Sequence, residues 1–95
     1  MNKVSKLFLD KAIIRGGTHM YSKSNAIQFI KECEKESVVV LGIDGFFLTS
    51  NTTQPSMDNS IDYSSRPFDE SIYDKAIQFL EEKSDDLYFE IVCVE

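Results

Sequence analysis

SVVVLGIDGFFLTS, residues 37–50, is the stretch whose reading decides the fold. Val38, Val39 and Val40 are followed by Leu41 and Ile43, so apolar side chains fall on both alternating faces. β-branched residues favour the extended chain, and apolar character on both faces is the pattern of a strand covered from two sides. Val38–Ile43 is therefore predicted to be the central strand of a small sheet. Asp44-Gly45 suits a tight turn or a bulge, after which Phe46–Leu48 either continues the strand or pairs back on it.

The flanks supply the other layer. Upstream, YSKSNAIQFIKECEKES (21–37) sets Ala26, Ile27, Ile30 and Cys33 on one helical stripe with Phe29 beside it. Lys31, Glu32, Lys35 and Glu36 fall on the wet side, and Ser22 or Ser24 supplies the N-cap. Downstream, DESIYDKAIQFLEEKSDD (69–86) has the same character, with Ile72, Tyr73, Ala76, Ile77, Phe79 and Leu80 forming a broad apolar face. Ser71 and Asp74 are placed as the ends of a capping box. DLYFEIVCV (86–94) then alternates as a strand, with Leu87, Phe89, Ile91 and Cys93 opposite Tyr88, Glu90, Val92 and Val94. That second set is mixed, which predicts a half-covered face.

AIQFIKE at Ala26 echoes AIQFLEE at Ala76, and each helix leads into an apolar strand. Two helix–strand units side by side imply one layered α/β (α+β) domain, a small mixed sheet packed by two to three helices. A third, N-terminal helix fits KVSKLFLDKAII (3–14), where Val4, Leu7, Phe8 and Lys11 recur at helical spacing and Gly16-Gly17 would end it. Between the first strand and the second strong helix, Thr49–Pro67 (TSNTTQPSMDNSIDYSSRP) is predicted to be a long polar connection carrying Met57, Ile61 and Tyr63. A connection so long in a compact domain is usually functional or disordered.

Ninety-five residues suit a single domain, which at this size buries roughly 60–65% of the surface its unfolded chain exposes. An apolar fraction of 42% with seven Phe and four Tyr excludes a disordered chain. The longest apolar run is Val38–Leu41, too short to cross a bilayer, and Asp10 and Lys11 interrupt any signal-peptide core. A cytoplasmic location is expected. Cys33 and Cys93 lack CxxC spacing and sit at apolar positions, which suits reduced, buried thiols.

Charge divides the chain. Residues 1–37 hold seven Lys/Arg and four Asp/Glu, whereas residues 38–95 hold three and twelve, so +3 and −9 make up the net −6. An acidic second half repels nucleic acid and anionic membranes and attracts a basic partner. His19, the single histidine, has no nucleophile assigned to it by the sequence. Phosphate-binding glycine patterns are absent, and DNSIDYSSRPFDE lacks the D-x-D-x-D-G calcium-loop spacing. No cofactor is expected. Asp44, Asp58, Asp62, Asp69 and Glu70 cluster in or near the polar connection, and Asp58, Asp62, Tyr63 and Arg66 form a candidate recognition surface with Tyr63 as its anchor.

The order AIQFIKE, VVVLGIDGF, QPSMDNSIDYS, AIQFLEE and LYFEIVCV resembles that of small bacterial immunity proteins of polymorphic toxin systems. In one such type a helix leads to a strand ending in a Gly-Asp turn, then a Pro-containing loop with Asp-Asn, a second helix and a final apolar strand. The likeness spans Ser22–Val94; Ile43 replaces the second Gly of the turn, and Ser60 stands where an aromatic residue follows Asp-Asn. The resemblance implies a non-enzymatic cytoplasmic antidote that binds a cognate toxin domain. Asp44, Asp58, Asn59 and Asp62 occupy the matching turn and loop. Charge extends this to a basic nuclease toxin and to Asp69 and Glu70 at the same interface. Alternatives are a small metal-dependent enzyme using Asp44, Asp58 and Asp62, a regulatory interaction module, and a homodimer through the Tyr88–Val94 face.

Overall fold

The computed structural model describes residues 1–65 and 67–94. In chain order the elements are α1 (Lys3–Leu7), a 3-10 turn (Leu9–Lys11), β1 (Ile13–Arg15), β2 (Thr18–Ser22), α2 (Lys23–Lys35), β3 (Val40–Leu48), β4 (Thr53–Asp62), α3 (Ser71–Glu81) and β5 (Leu87–Cys93). The strands form one sheet in the order β1-β2-β5-β3-β4, and each pairing is antiparallel. The expected α+β layering of helices on a small sheet is present. Among the described residues no helix is long and apolar enough to cross a membrane.

The two strong helices form where their apolar stripes predict. Ser22 is the N-cap of α2, its hydroxyl accepting from Asn25 N–H, and Ala26, Phe29, Ile30 and Cys33 are buried. In α3 the capping differs from expectation. Ser71 is the first helical residue rather than the cap, and Asp69 Oδ1 accepts from Ser71 N–H at 2.7 Å and from the Ser71 hydroxyl. A carboxylate at a helix N-terminus satisfies an orphan N–H and meets the positive end of the helix dipole. The helices lie together on one face, where Ile43, Leu87, Phe89 and Ile91 join Phe29, Ile30, Ala76 and Leu80 in the core. Lys23 ties them at one end, donating to Lys83 C=O at 2.9 Å and pairing with Asp85 at 3.5 Å.

The N-terminal helix is shorter than predicted. Val4 and Phe8 are buried, but Leu7 is 60% exposed and α1 ends with it. Phe8 packs against Phe29 and Tyr21, at ring-centroid distances of 5.3 and 6.4 Å. Beyond it, β-branched Ile13 and Ile14 extend instead of coiling. Gly16 and Gly17 (φ +58° and +83°) therefore do not stop a helix but make the two-residue turn of a hairpin, whose twist requires positive φ at both positions. His19 consequently lies on a strand, opposite Ile14.

The largest correction concerns Thr49–Pro67. Thr53–Asp62 is not a loop but a ten-residue strand paired with β3. Thr49 closes the connecting turn: its N–H donates to Thr52 C=O and its Oγ1 accepts from Thr52 N–H, each at 3.0 Å. β4 is an outer strand, so Pro55, which lacks an N–H, is tolerated there. β3 runs straight through Asp44-Gly45, and the bulge lies on the partner strand, where the register jumps from Ile43↔Ile61 to Gly45↔Ser56. Ser60 holds it, its hydroxyl accepting from Gly45 N–H (3.0 Å) and donating to Ser56 C=O (2.8 Å). β3 is also not covered on both sides as predicted: it is hydrogen-bonded along both edges, but the helices cover one face only.

The opposite face is curved. β1 and β4 are the two ends of a five-strand order and would lie about 19 Å apart in a flat sheet, at ~4.8 Å per spacing. Yet Arg15 on β1 donates to Thr52 C=O, beside the start of β4, at 2.7 Å. The sheet therefore rolls until an arginine side chain spans the distance between its ends.

Two stability predictions follow from backbone geometry. A Cβ at Gly45 would sit 2.3 Å from Asn59 C=O, so Gly45→Ala is expected to lose about 1–3 kcal/mol in urea unfolding. Ser37 holds φ +57° just past α2, with Val38 N–H bonded back to Cys33 C=O at 2.8 Å. Ser37→Gly is expected to gain about 0.5–1 kcal/mol in the same measurement, since glycine adopts that conformation without steric cost.

Candidate functional site

The face without helices is built from alternate residues of β3 and β5. In the register Gly42 opposes Val92, Asp44 opposes Glu90, and Phe46 opposes Tyr88. None of these six belongs to the buried core cluster. Directly opposed side chains in an antiparallel pair have Cβ atoms about 4.5–5.5 Å apart, so Asp44 and Glu90 form a rung of like charge. Both are half-buried. Among the described residues neither forms a salt bridge.

Burial pushes the Glu90 carboxyl above its ordinary range, the Asp44 charge adds to the rise, and His19 opposes it. Asp62 lies at the end of β4, opposite Gly42, and is exposed. Its Oδ1 accepts from the Ser64 hydroxyl (2.6 Å) and from Ser64 N–H (2.8 Å), bonds that lower its pKa and keep it ionised. A cavity of about 430 Å³ opens beside this rung, bordered by Asp44, Asp62, Leu41, Met57 and Val92. Met57 is 84% exposed and Val92 37%.

The remaining predicted site residues divide. Asp58 is exposed on the bulge, its carbonyl facing Lys83 Nζ at 3.5 Å. Asn59 is half-buried and donates to Ser56 Oγ at 2.9 Å, so it shapes the bulge. Tyr63 is only 3% exposed and belongs to the core, so it is not the outward anchor expected; Tyr63 N–H donates to Leu41 C=O at 2.8 Å, carrying the chain inward past β4. Asp69 and Glu70 stand exposed at the start of α3, and Asp69 acts as a cap there. Arg66 lies outside the described residues. Glu90 is the member that sequence reasoning missed. Its signal was a lone carboxylate in an otherwise apolar final strand, but only the register places it against Asp44.

The arrangement does not assemble the metal-dependent alternative. Among the described residues no three His, Cys, Asp or Glu converge closely enough to hold a metal ion, so Asp44, Asp58 and Asp62 do not form that cluster. A second cavity, of about 240 Å³, brings Ser5, His19 and Glu90 to one wall. No hydrogen bond joins these three, whereas an activated nucleophile needs one to its base. Cys33 is buried with its thiol hydrogen-bonded to Cys93, and both that bond and burial push its pKa up, leaving it a poor nucleophile. Cys93 in turn accepts from Asn2 Nδ2 at 3.0 Å.

What remains is an acidic and partly apolar sheet face on an α+β domain. No protein-family model and no curated protein sequence matches the chain.

The like-charge rung has a thermodynamic signature. A carboxyl whose folded pKa is raised above the unfolded value costs stability at neutral pH, and the cost vanishes once both states are protonated. Glu90→Gln is therefore expected to raise Tm at pH 7 by about 1–5 °C. The gain should disappear as pH falls below the ordinary glutamate value of 4.5, which calorimetry across pH will show.

Proposed function

We propose that the protein is a non-enzymatic antidote: a cytoplasmic domain that binds a cognate toxin domain with a basic cleft and masks it. One observation carries this reading. The helix-free face keeps Asp44 and Glu90 directly opposed, and neither forms a salt bridge among the described residues. A cation arriving from outside the chain stabilises such a rung. The resemblance of Ser22–Val94 to immunity proteins supports the same class, and the −9 balance of residues 38–95 supports a basic target such as a nuclease. A carboxylate-bearing surface occupies the positions where a nuclease cleft would hold phosphates.

Structural duties of the matched loop residues fit this reading. Asn59 shapes the bulge and Asp62 holds its turn through one oxygen, leaving the exposed carboxylates of Asp58 and Asp62 at the rim. Rim charges act mainly on the rate of encounter.

The test is titration of the purified protein with the toxin domain encoded beside it. A one-to-one complex at micromolar concentration is expected, and its association rate should fall about tenfold or more between about 50 and about 500 mM NaCl. Asp58→Lys with Asp62→Lys should slow association and flatten that salt dependence. Absence of a complex at low salt defeats the antidote reading for that pair.

A further inference from the structure

We infer that the docking surface is the helix-free face of β3, β4 and β5, and that its occupant is a basic protein segment seated with an arginine or lysine over the Asp44–Glu90 rung. The inference rests on the antidote reading for the identity of the partner, but the chemistry of the face stands on its own geometry. Asp44, the β3 member of the rung, marks one side of a depression of about 430 Å³ and Asp62 another, while Leu41, Met57 and Val92 give it apolar walls. Carboxylates beside exposed apolar atoms match a long cationic side chain, whose methylene stem packs on apolar surface while its head reaches charge.

Other occupants fit worse. A bare cation requires several converging oxygens, and no such group of three exists among the described residues. Nucleic acid and anionic lipid are repelled. A second copy docked face to face through a two-fold axis would set two like-charged rungs against each other. A basic partner instead relieves the repulsion already present between Asp44 and Glu90.

The surface has a built edge. Opposite the single β3 residue Asp44, β4 inserts Met57–Ser60, and Ser60 pins that insertion to Gly45. Met57 thereby stands clear of the strand at 84% exposure, beside the carboxylates and not across the molecule from them. A hydrophobic contact next to a charge pair shields that pair from water and strengthens it.

The experiment is an amide-shift titration of the isotopically labelled protein with a peptide of alternating arginine and glycine, followed by the adjacent-gene toxin domain. Shifts confined to Gly42–Phe46, Met57–Asp62 and Tyr88–Val92 are expected. Asp44→Asn with Glu90→Gln should weaken the peptide about tenfold or more, and that variant, relieved of like-charge repulsion, should melt no lower than the parent. Shifts centred on the helix carboxylates Glu32, Glu34, Glu81 and Glu82, no shifts at all, or unchanged affinity of the double variant would overturn the docking surface. A toxin domain that binds the helices instead overturns this surface and leaves the antidote reading standing. If the peptide occupies the face and the toxin domain binds nowhere, the antidote reading fails and the docking surface survives.

Discussion

Two helices cover one face of a five-stranded sheet and no more, and the remainder of the structure depends on that limit. Five strands span about 19 Å and two helices packed side by side cover about 20 Å, so α2 and α3 fill a single side. Leu87, Phe89 and Ile91 on β5 and Ile43 on β3 consequently join the core, while Asp44, Tyr88, Glu90 and Val92 between them do not. Among the described residues the chain has no third long helix with which to cover the second face. It manages that face by curvature, with Arg15 reaching Thr52 from the opposite end of the strand order.

Backbone chemistry, more than side-chain burial, sets the limits of the roll. Gly16 and Gly17 give the β1–β2 hairpin its turn, and Gly45 lets the β4 bulge approach to a distance that any side chain would block. The short α1 closes the remaining gap by inserting Val4 and Phe8 beside α2, while Asn2 fastens it to the far end of β5 through Cys93 and Val94. Both chain ends thus meet at one edge of the core. Tyr73, from α3, bonds Val38 C=O at 2.8 Å just before β3, so the second helix also fixes where the central ladder begins.

Elements stabilised by their own periodicity were legible in the sequence. The stripes of α2 and α3 and the alternation of β5 appear as predicted, because a buried face leaves a repeating apolar pattern. β4 left no such pattern. TQPSMDNSID is polar throughout and mostly exposed, and it is a strand because β3 offers it a row of backbone hydrogen-bonding groups, which composition does not record. The β1–β2 hairpin was hidden for a related reason: Val4, Leu7 and Phe8 have helical spacing, and Gly16-Gly17 reads equally as a helix stop or a hairpin turn. Of the site, Asp44 and Asp62 were visible as carboxylates near a turn. Tyr63 was misplaced outward because an aromatic residue in an apparent loop looks presented, whereas in a strand ending at the core it is enclosed.

The bulge connects fold to function. In a regular ladder, Asp44 would have a single β4 side chain directly opposite, able to supply a counter-charge as readily as Glu90 supplies a like one. Four residues, Met57–Ser60, stand where a regular ladder has one, and Met57 and Ser60 border a cavity beside Asp44. Glu90 then approaches from the other side, and its carboxyl titrates high because burial and Asp44 both oppose its charge, more than His19 favours it. A face so arranged gives up stability in the free protein and recovers it on meeting a cation. It follows that the irregular stretch after Gly45 matters less for what its own side chains touch than for what it leaves open. The carboxylate on β3 borders an open cavity because the strand beside it steps aside.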